Sequence, residues 1–317
     1  MAGHQGLVGS ALVDLLQREG YSRVITRTHE ELDLTHHLAV EEFFKDERPE
    51  QVFLAAAVSG GIRANISRPA EFIHTNLAIQ ASVINAAHMA GVGRLIFFGS
   101  ACAYPEGIPQ PTSEEVLMTG GLEPTSEYYA IAKIAGMKMC EAYNRQFGCC
   151  FLSVIPATLY GPKDNFDFES SHVLAALVAK FHRARVLNEG TVVLWGSGEP
   201  RREFLYVDDL AEACLFLMSI DEIELRDAVD EIGYVINVGS GVDYTIAELA
   251  KGIKDLTGYR GEISWDDTKP CGAKRKLLDS DRIMNMGWSP KTNLDDGLYR
   301  TYSWYQSHAL DESGEAI

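Results

Sequence analysis

Strand-length apolar runs separated by helix-length ones constrain this chain more than any other feature. The runs Arg23-Val24-Ile25-Thr26, Gln51-Val52-Phe53-Leu54-Ala55, Arg94-Leu95-Ile96-Phe97-Phe98, Cys150-Phe151-Leu152-Ser153-Val154-Ile155 and Tyr234-Val235-Ile236-Asn237-Val238 lack polar alternation. Strands buried on both faces read that way. Helical patterns over Val8–Arg18, Pro69–Met89 and Tyr128–Gln146 lie between them. Parallel strands need such crossovers, so the expected fold is α/β, a Rossmann-like doubly wound parallel sheet. With 317 residues the chain is about twice a ~150-residue domain, which allows a second, smaller unit.

The turn Gly3-His4-Gln5-Gly6-Leu7-Val8-Gly9 opens the first helix. Glycines there let backbone approach a pyrophosphate, whose charge rests against helix N-terminal amides. Such a turn should follow a buried strand of ~5–6 residues, and only Met1 and Ala2 stand before it. The expectation is that this start is internal and that a short apolar segment precedes it in the native protein. From Asp164 to Arg202, and again after Gly241, the texture changes to a His- and Ala-rich helix, a Val-Val-Leu-Trp strand and a Trp/Tyr-rich tail. These pieces suggest a dinucleotide-binding domain of residues 1–163 and 203–241. A discontinuous α/β substrate domain of residues 164–202 and 242–317 would complete the chain.

Charge narrows the partners. Lys and Arg total 28 against 45 Asp and Glu, a net −17, so nucleic acid and anionic membrane are disfavoured in bulk. An anionic ligand then needs a locally built pocket. No run of ~18 apolar residues predicts a membrane span. The six cysteines form no CxxC pair, which fits reduced thiols in a cytoplasm, and no metal site is expected.

Tyr129-Ala130-Ile131-Ala132-Lys133 carries Tyr-x-x-x-Lys on a helical stretch, and residues four apart share a face. An ammonium beside a phenol favours phenolate and would bring its pKa toward neutrality. About thirty residues earlier, Phe98-Gly99-Ser100-Ala101-Cys102 leaves the carboxyl end of a buried strand, the ligand side of a doubly wound sheet. Tyr-x-x-x-Lys alone is common; the ordered set of glycine turn, strand-end Ser and Tyr-x-x-x-Lys is not.

That set resembles the short-chain dehydrogenase/reductase signature in its extended form. Further segments narrow the resemblance: Leu54-Ala55-Ala56-Ala57, Gly99-Ser100-Ala101-Cys102-Ala103-Tyr104-Pro105, Leu159-Tyr160-Gly161-Pro162-Lys163, Ser171-His172-Val173, Trp195-Gly196-Ser197-Gly198 and Arg202-Glu203-Phe204. They are similar to the GDP-4-keto-6-deoxymannose epimerase-reductases, the GDP-L-fucose synthase family. The resemblance implies inversion of GDP-4-keto-6-deoxy-D-mannose at carbons 3 and 5, followed by reduction of the 4-ketone with NADPH. It implies Cys102 as base and His172 as acid for inversion, with Tyr129, Lys133 and Ser100 at the sugar oxygen. Cofactor contacts would fall on Gly3, Gln5, Gly6, Gly9, Arg27, His29, Ala55, Ala56, Lys133, Pro156, Leu159 and His172. Substrate contacts would fall on Lys180, Trp195, Arg202 and Cys271, the last standing where relatives commonly have Asp. NADP(H) is the expected cofactor, with NAD(H) also usable because Gln5 and His29 replace arginines of NADPH-using members. A homodimer through the helices from Pro69 and Tyr128 is implied as well. Competing readings are another extended short-chain sugar-nucleotide epimerase or dehydratase with bound NAD, and a non-catalytic dinucleotide-sensing protein.

Overall fold

The structure, a computed structural model, describes residues 1–168, 170–269 and 272–308. Its strands are β1 Gln51–Leu54, β2 Arg94–Phe98, β3 Phe151–Pro156, β4 Thr158–Tyr160, β5 Thr191–Trp195, β6 Arg201–Tyr206, β7 Val235–Val238, β8 Asp243–Thr245, β9 Glu262–Asp266 and β10 Arg275–Lys276. The helices that cover the main sheet or border its cleft are α1 Leu7–Arg18, α2 His37–Glu47, α3 Ile62–Ser67, α4 Pro69–Met89, α5 Glu127–Phe147, α6 Val173–Val186 and α7 Val207–Ser219.

The main sheet is parallel, in the order β1-β2-β3-β7, with Ile96 level with Leu152 and Val154 level with Ile236. Its residues are mostly apolar and do not alternate, because helices cover both faces. In one layer α1 packs on α7, and in the other α4 packs on α2 and α5. Leu95, Ile96, Phe151, Val154 and Ile236 are fully buried. At the amino end of β2 the Arg94 guanidinium donates to the carbonyls of Leu217, Met218 and Ile220. It thereby serves orphan carbonyls at the C-terminus of α7.

The run Arg23–Thr26, expected as a strand, forms none. A strand needs a ladder partner, and beyond β1 the sheet is continued, among the described residues, by an isolated bridge from Ala2 alone. The Ala2 amide donates to Phe53 O at 3.0 Å, and Ala2 O accepts from Ala55 N at 3.0 Å. Residue 25 is tied to this edge by its carbonyl, which accepts from the Met1 ammonium at 2.8 Å. An apolar cavity of about 50 Å³ lies among Met1, Ile25, Leu34, Phe44 and Val52.

A second apolar core gathers Leu174, Val178, Phe181, Val192, Leu194, Leu249, Ile253 and Tyr302. Strand β6 pairs with β4, β8 and β10, while β5 pairs with β9. Alternating side chains let β6 serve both cores. Phe204 and Tyr206 face the second, whereas Leu205 joins the first. The carboxyl ends of the main sheet therefore open toward the second core, and a cleft lies between them. Among the described residues, no helix is long and apolar enough to cross a membrane.

Candidate active site

A cavity of about 600 Å³ occupies the cleft, large enough for nucleotide-sized ligands. One wall is the glycine turn. Gly3 has φ +85°, and a Cβ there would lie 2.5 Å from Ala56 N. At Gly9 a Cβ would run into Gly3 O. Only glycines let the loop press this closely on the chain leaving β1. Gly6 precedes α1 without any side-chain cap, and Leu7, Val8 and Gly9 line the cavity. The first amides of α1 thus face a space with no internal acceptor, a cradle suited to a dinucleotide pyrophosphate.

Deeper in the cavity, Ser100 caps the short turn Ala101–Ala103, its Oγ accepting from Cys102 N at 3.2 Å. Tyr129 and Lys133 lie one turn apart on α5, as their spacing predicts. Lys133 is buried and its Nζ donates to Phe98 O at 2.7 Å, with Nζ 5.8 Å from the centre of the Tyr129 ring. Burial pulls its pKa down to about 8. Helix spacing alone would have Lys133 drawing the phenol toward neutrality, but burial acts more strongly the other way. It pushes the Tyr129 pKa up, negative charge at Cys102 adds to the rise, and a hydrogen bond with Ser100 only partly offsets it. Tyr129 therefore stands as a protonated phenol, a donor.

Cys102 is the reverse case. Burial alone would raise its thiol, yet the Lys276 charge and hydrogen bonds from Ser100, Ser126 and Lys276 bring it below the ordinary thiol value. Lys276 Nζ lies 3.6 Å from Cys102 Sγ. His172 sits at the N-terminus of α6 and lines the same cavity. It keeps a solvent-reachable edge, while the enclosing walls lower its pKa and favour the neutral ring.

Lys180, Trp195 and Arg202 also line the cavity, as do Pro156, Leu159 and Ala55. Burial lowers the Lys180 pKa, and Lys269 Nζ stands 5.9 Å from the centre of the Trp195 ring. Four expected contacts, Gln5, Arg27, His29 and Ala56, lie outside the lining. Ala56 backs the Gly3 turn. Arg27 is engaged by Glu47 at 2.7 Å and stacks 5.1 Å from the Phe43 centroid, and His29 Nδ1 is 3.9 Å from Asp33. Cys271 lies outside the described residues.

Sequence reasoning missed Lys276, Ser126 and Asp164, all of which line the cavity. Lys274-Arg275-Lys276 reads as a solvated charge run. Only the register of β10 on β6, with Lys276 level with Arg202, turns one of these cations inward. Asp164 has its pKa raised to about 7 by burial, partly countered by the Asn165 amide. Among the described residues, no group of three or more His, Cys, Asp or Glu side chains could hold a metal ion.

A glycine cradle beneath a strand-end Ser and a Tyr–Lys pair defines a nicotinamide-dependent enzyme of the extended short-chain dehydrogenase/reductase class. The chain belongs to the NAD dependent epimerase/dehydratase family, which matches residues 1–239. It is 52% identical over 305 residues to GDP-L-fucose synthase 1 of Arabidopsis thaliana, covering 96% of this chain and 92% of that one. It is 48% identical over 306 residues to GDP-L-fucose synthase of Escherichia coli strain K12, covering 96% and 95%. Among solved structures, a GDP-mannoheptose C4 reductase from Campylobacter jejuni with NADP bound superposes with a TM-score of 0.88 at 40% identity, covering 96% of each chain.

Proposed function

We propose that this enzyme makes GDP-L-fucose from GDP-4-keto-6-deoxy-D-mannose by inverting carbons 3 and 5 and then reducing the 4-ketone. The observation that carries the proposal is that a phenol, an activated thiol and an imidazole open into one cavity beside a dinucleotide cradle. A plain sugar-nucleotide 4-epimerase has no use for the thiol–imidazole pair. Names of relatives at about half identity point the same way.

The chemistry follows from what each side chain holds. The sugar ketone acidifies the hydrogens on its neighbouring carbons, and the Tyr129 phenol and Ser100 hydroxyl donate to its oxygen. The Cys102 thiolate takes a proton from one face, and the electron pair moves to the oxygen, where those donors stabilise it. His172 returns a proton to the opposite face from the minority of rings that are protonated, the resting ring being neutral, and this inverts the carbon. Cys102 then carries a proton that His172 lacks, and exchange with solvent restores both before the second inversion. A nicotinamide dinucleotide, when bound in the glycine cradle, supplies the hydride for the final reduction. Tyr129 gives its proton to the resulting alkoxide, and Lys133, fixed by Phe98 O, orients the cofactor ribose. Lys180, Trp195 and Arg202 hold the GDP moiety, Arg202 with a planar fork and Lys180 with a point charge.

NADP(H) is the cofactor of this reading, and NADH is also accepted, since Arg27 is engaged by Glu47, Gln5 is uncharged and His29 stands beside Asp33. The enzyme works in the cytoplasm as a homodimer through α4 and α5, which expose Met89, Tyr128, Ile131 and Phe147. Incubation with GDP-4-keto-6-deoxy-D-mannose and NADPH tests the proposal. Stoichiometric NADPH loss with GDP-L-fucose as product, identified by NMR, supports it. Absence of net NADPH oxidation, or a product with carbons 3 and 5 uninverted, overturns it.

A further inference from the structure

We propose that Lys276 is a positioning residue that holds Cys102 as the thiolate needed for proton abstraction. The inference rests on the epimerase reading and adds to it a residue that none of the sequence motifs contains.

The geometry is specific. Lys276 comes from β10, a two-residue strand laid parallel on β6, with Arg275 level with Arg201 and Lys276 level with Arg202. Successive side chains on a strand point to opposite sides. Arg275 therefore turns out to pair with Asp243, and Lys276 turns in to the cavity wall. There its Nζ lies 3.6 Å from Cys102 Sγ. Among the described residues, no carboxylate comes within ion-pair distance of it. Its nearest charge partner is thus the sulfur itself.

The other groups facing Cys102 are few. Ser100 belongs to the same turn, Ser126 precedes α5, and the Tyr129 phenol stands on α5. Glu123 also feels the Lys276 charge, and it is bound by Thr125 and Ser126. Serine hydroxyls can donate to a thiolate but carry no charge, so among the described residues the Lys276 ammonium is the cation that opposes the cost of burying a negative sulfur. A neutral thiol takes no proton from carbon, so inversion should scale with the thiolate population. Reduction, which uses Tyr129 and Lys133, has no such requirement.

The experiment compares the whole enzyme with Lys276→Gln and Lys276→Arg, using Cys102→Ala to assign the signal. Iodoacetamide alkylation of Cys102, followed by mass spectrometry, is measured against pH in the absence of substrate. Lys276→Gln should move the alkylation midpoint up by at least one pH unit, which at pH 7 means roughly tenfold slower alkylation. Lys276→Arg should retain most of the reactivity. In D2O the Gln variant should incorporate deuterium into the keto sugar at least about tenfold more slowly at saturating substrate, a loss in kcat. An unchanged alkylation midpoint, or a defect confined to KM, would overturn the proposal and leave Lys276 as a diphosphate contact only. Wild-type enzyme that incorporates no deuterium would instead overturn the epimerase reading, with the alkylation shift still reporting the ammonium–thiolate pair.

Discussion

Replacing Lys133 with Met separates stability from catalysis at the centre of this site. In the parent, burial brings the ammonium from 10.5 in a free side chain to about 8. Below the folded value both states are charged, and the folded state bears the full penalty of about 3 kcal/mol. Between about 8 and 10.5 the unfolded chain holds more protons, so this group's contribution to stability rises with pH. Methionine removes the buried charge and keeps an unbranched stem in the same slot. Against that gain, Phe98 O loses its donor, at roughly 1–3 kcal/mol, and the contact 4.9 Å from the Phe97 ring centre loses about 0.5–1 kcal/mol. At pH 7 the variant should therefore stay within about 1–2 kcal/mol of the parent, although a buried cation has been removed. Its stability relative to the parent should fall by about 1 kcal/mol between pH 7 and pH 9, because the parent sheds its penalty over that range. Urea unfolding at the two pH values measures this, while NADPH oxidation should drop at least about a hundredfold. A relative stability that is flat or rises with pH would refute the buried-ammonium argument.

Three further outcomes are expected. Cys102→Ser should abolish deuterium uptake from D2O into the sugar while leaving reduction of a 4-keto substrate within about tenfold, because the hydroxyl is far too weak a base yet fits the space; parallel mass and NADPH assays read the two activities. Glu47→Gln should release Arg27 from its 2.7 Å ion pair and raise NADPH over NADH discrimination in kcat/KM by about two- to fivefold, the modest size reflecting solvent screening of an exposed cation; the parent preference should lie well below a thousandfold. Gly9→Ala should weaken dinucleotide binding at least about tenfold, since the new methyl collides with Gly3 O and spreads the cradle, as fluorescence titration with NADPH would report.

Much of this architecture could be read from local pattern. The bounds of α4 match its apolar periodicity because Pro69 starts it, at a position that needs no amide donor. The Tyr129–Lys133 juxtaposition follows from helix geometry alone. What failed, or was invisible, depends on neighbours distant in the chain. Arg23–Thr26 has strand chemistry, but strand formation requires a ladder partner, and Ile25 O instead accepts from the Met1 ammonium. Arg27 looks available for an anion in the sequence, but Glu47 of α2 folds over it. The Tyr129 phenol rises rather than falls because desolvation scales with tertiary burial, which the spacing of two residues does not report. Lys276 sits in a run indistinguishable from surface decoration, and the β10–β6 register alone brings it to Cys102.

The most direct test is the isotopic composition of the product formed in D2O with unlabelled NADPH. Inversion at both carbons before hydride transfer should give GDP-L-fucose carrying solvent deuterium at carbons 3 and 5 and the cofactor's protium at carbon 4, with the deuterium lost in Cys102→Ser. A product reduced at carbon 4 but free of deuterium at both neighbouring carbons would contradict it.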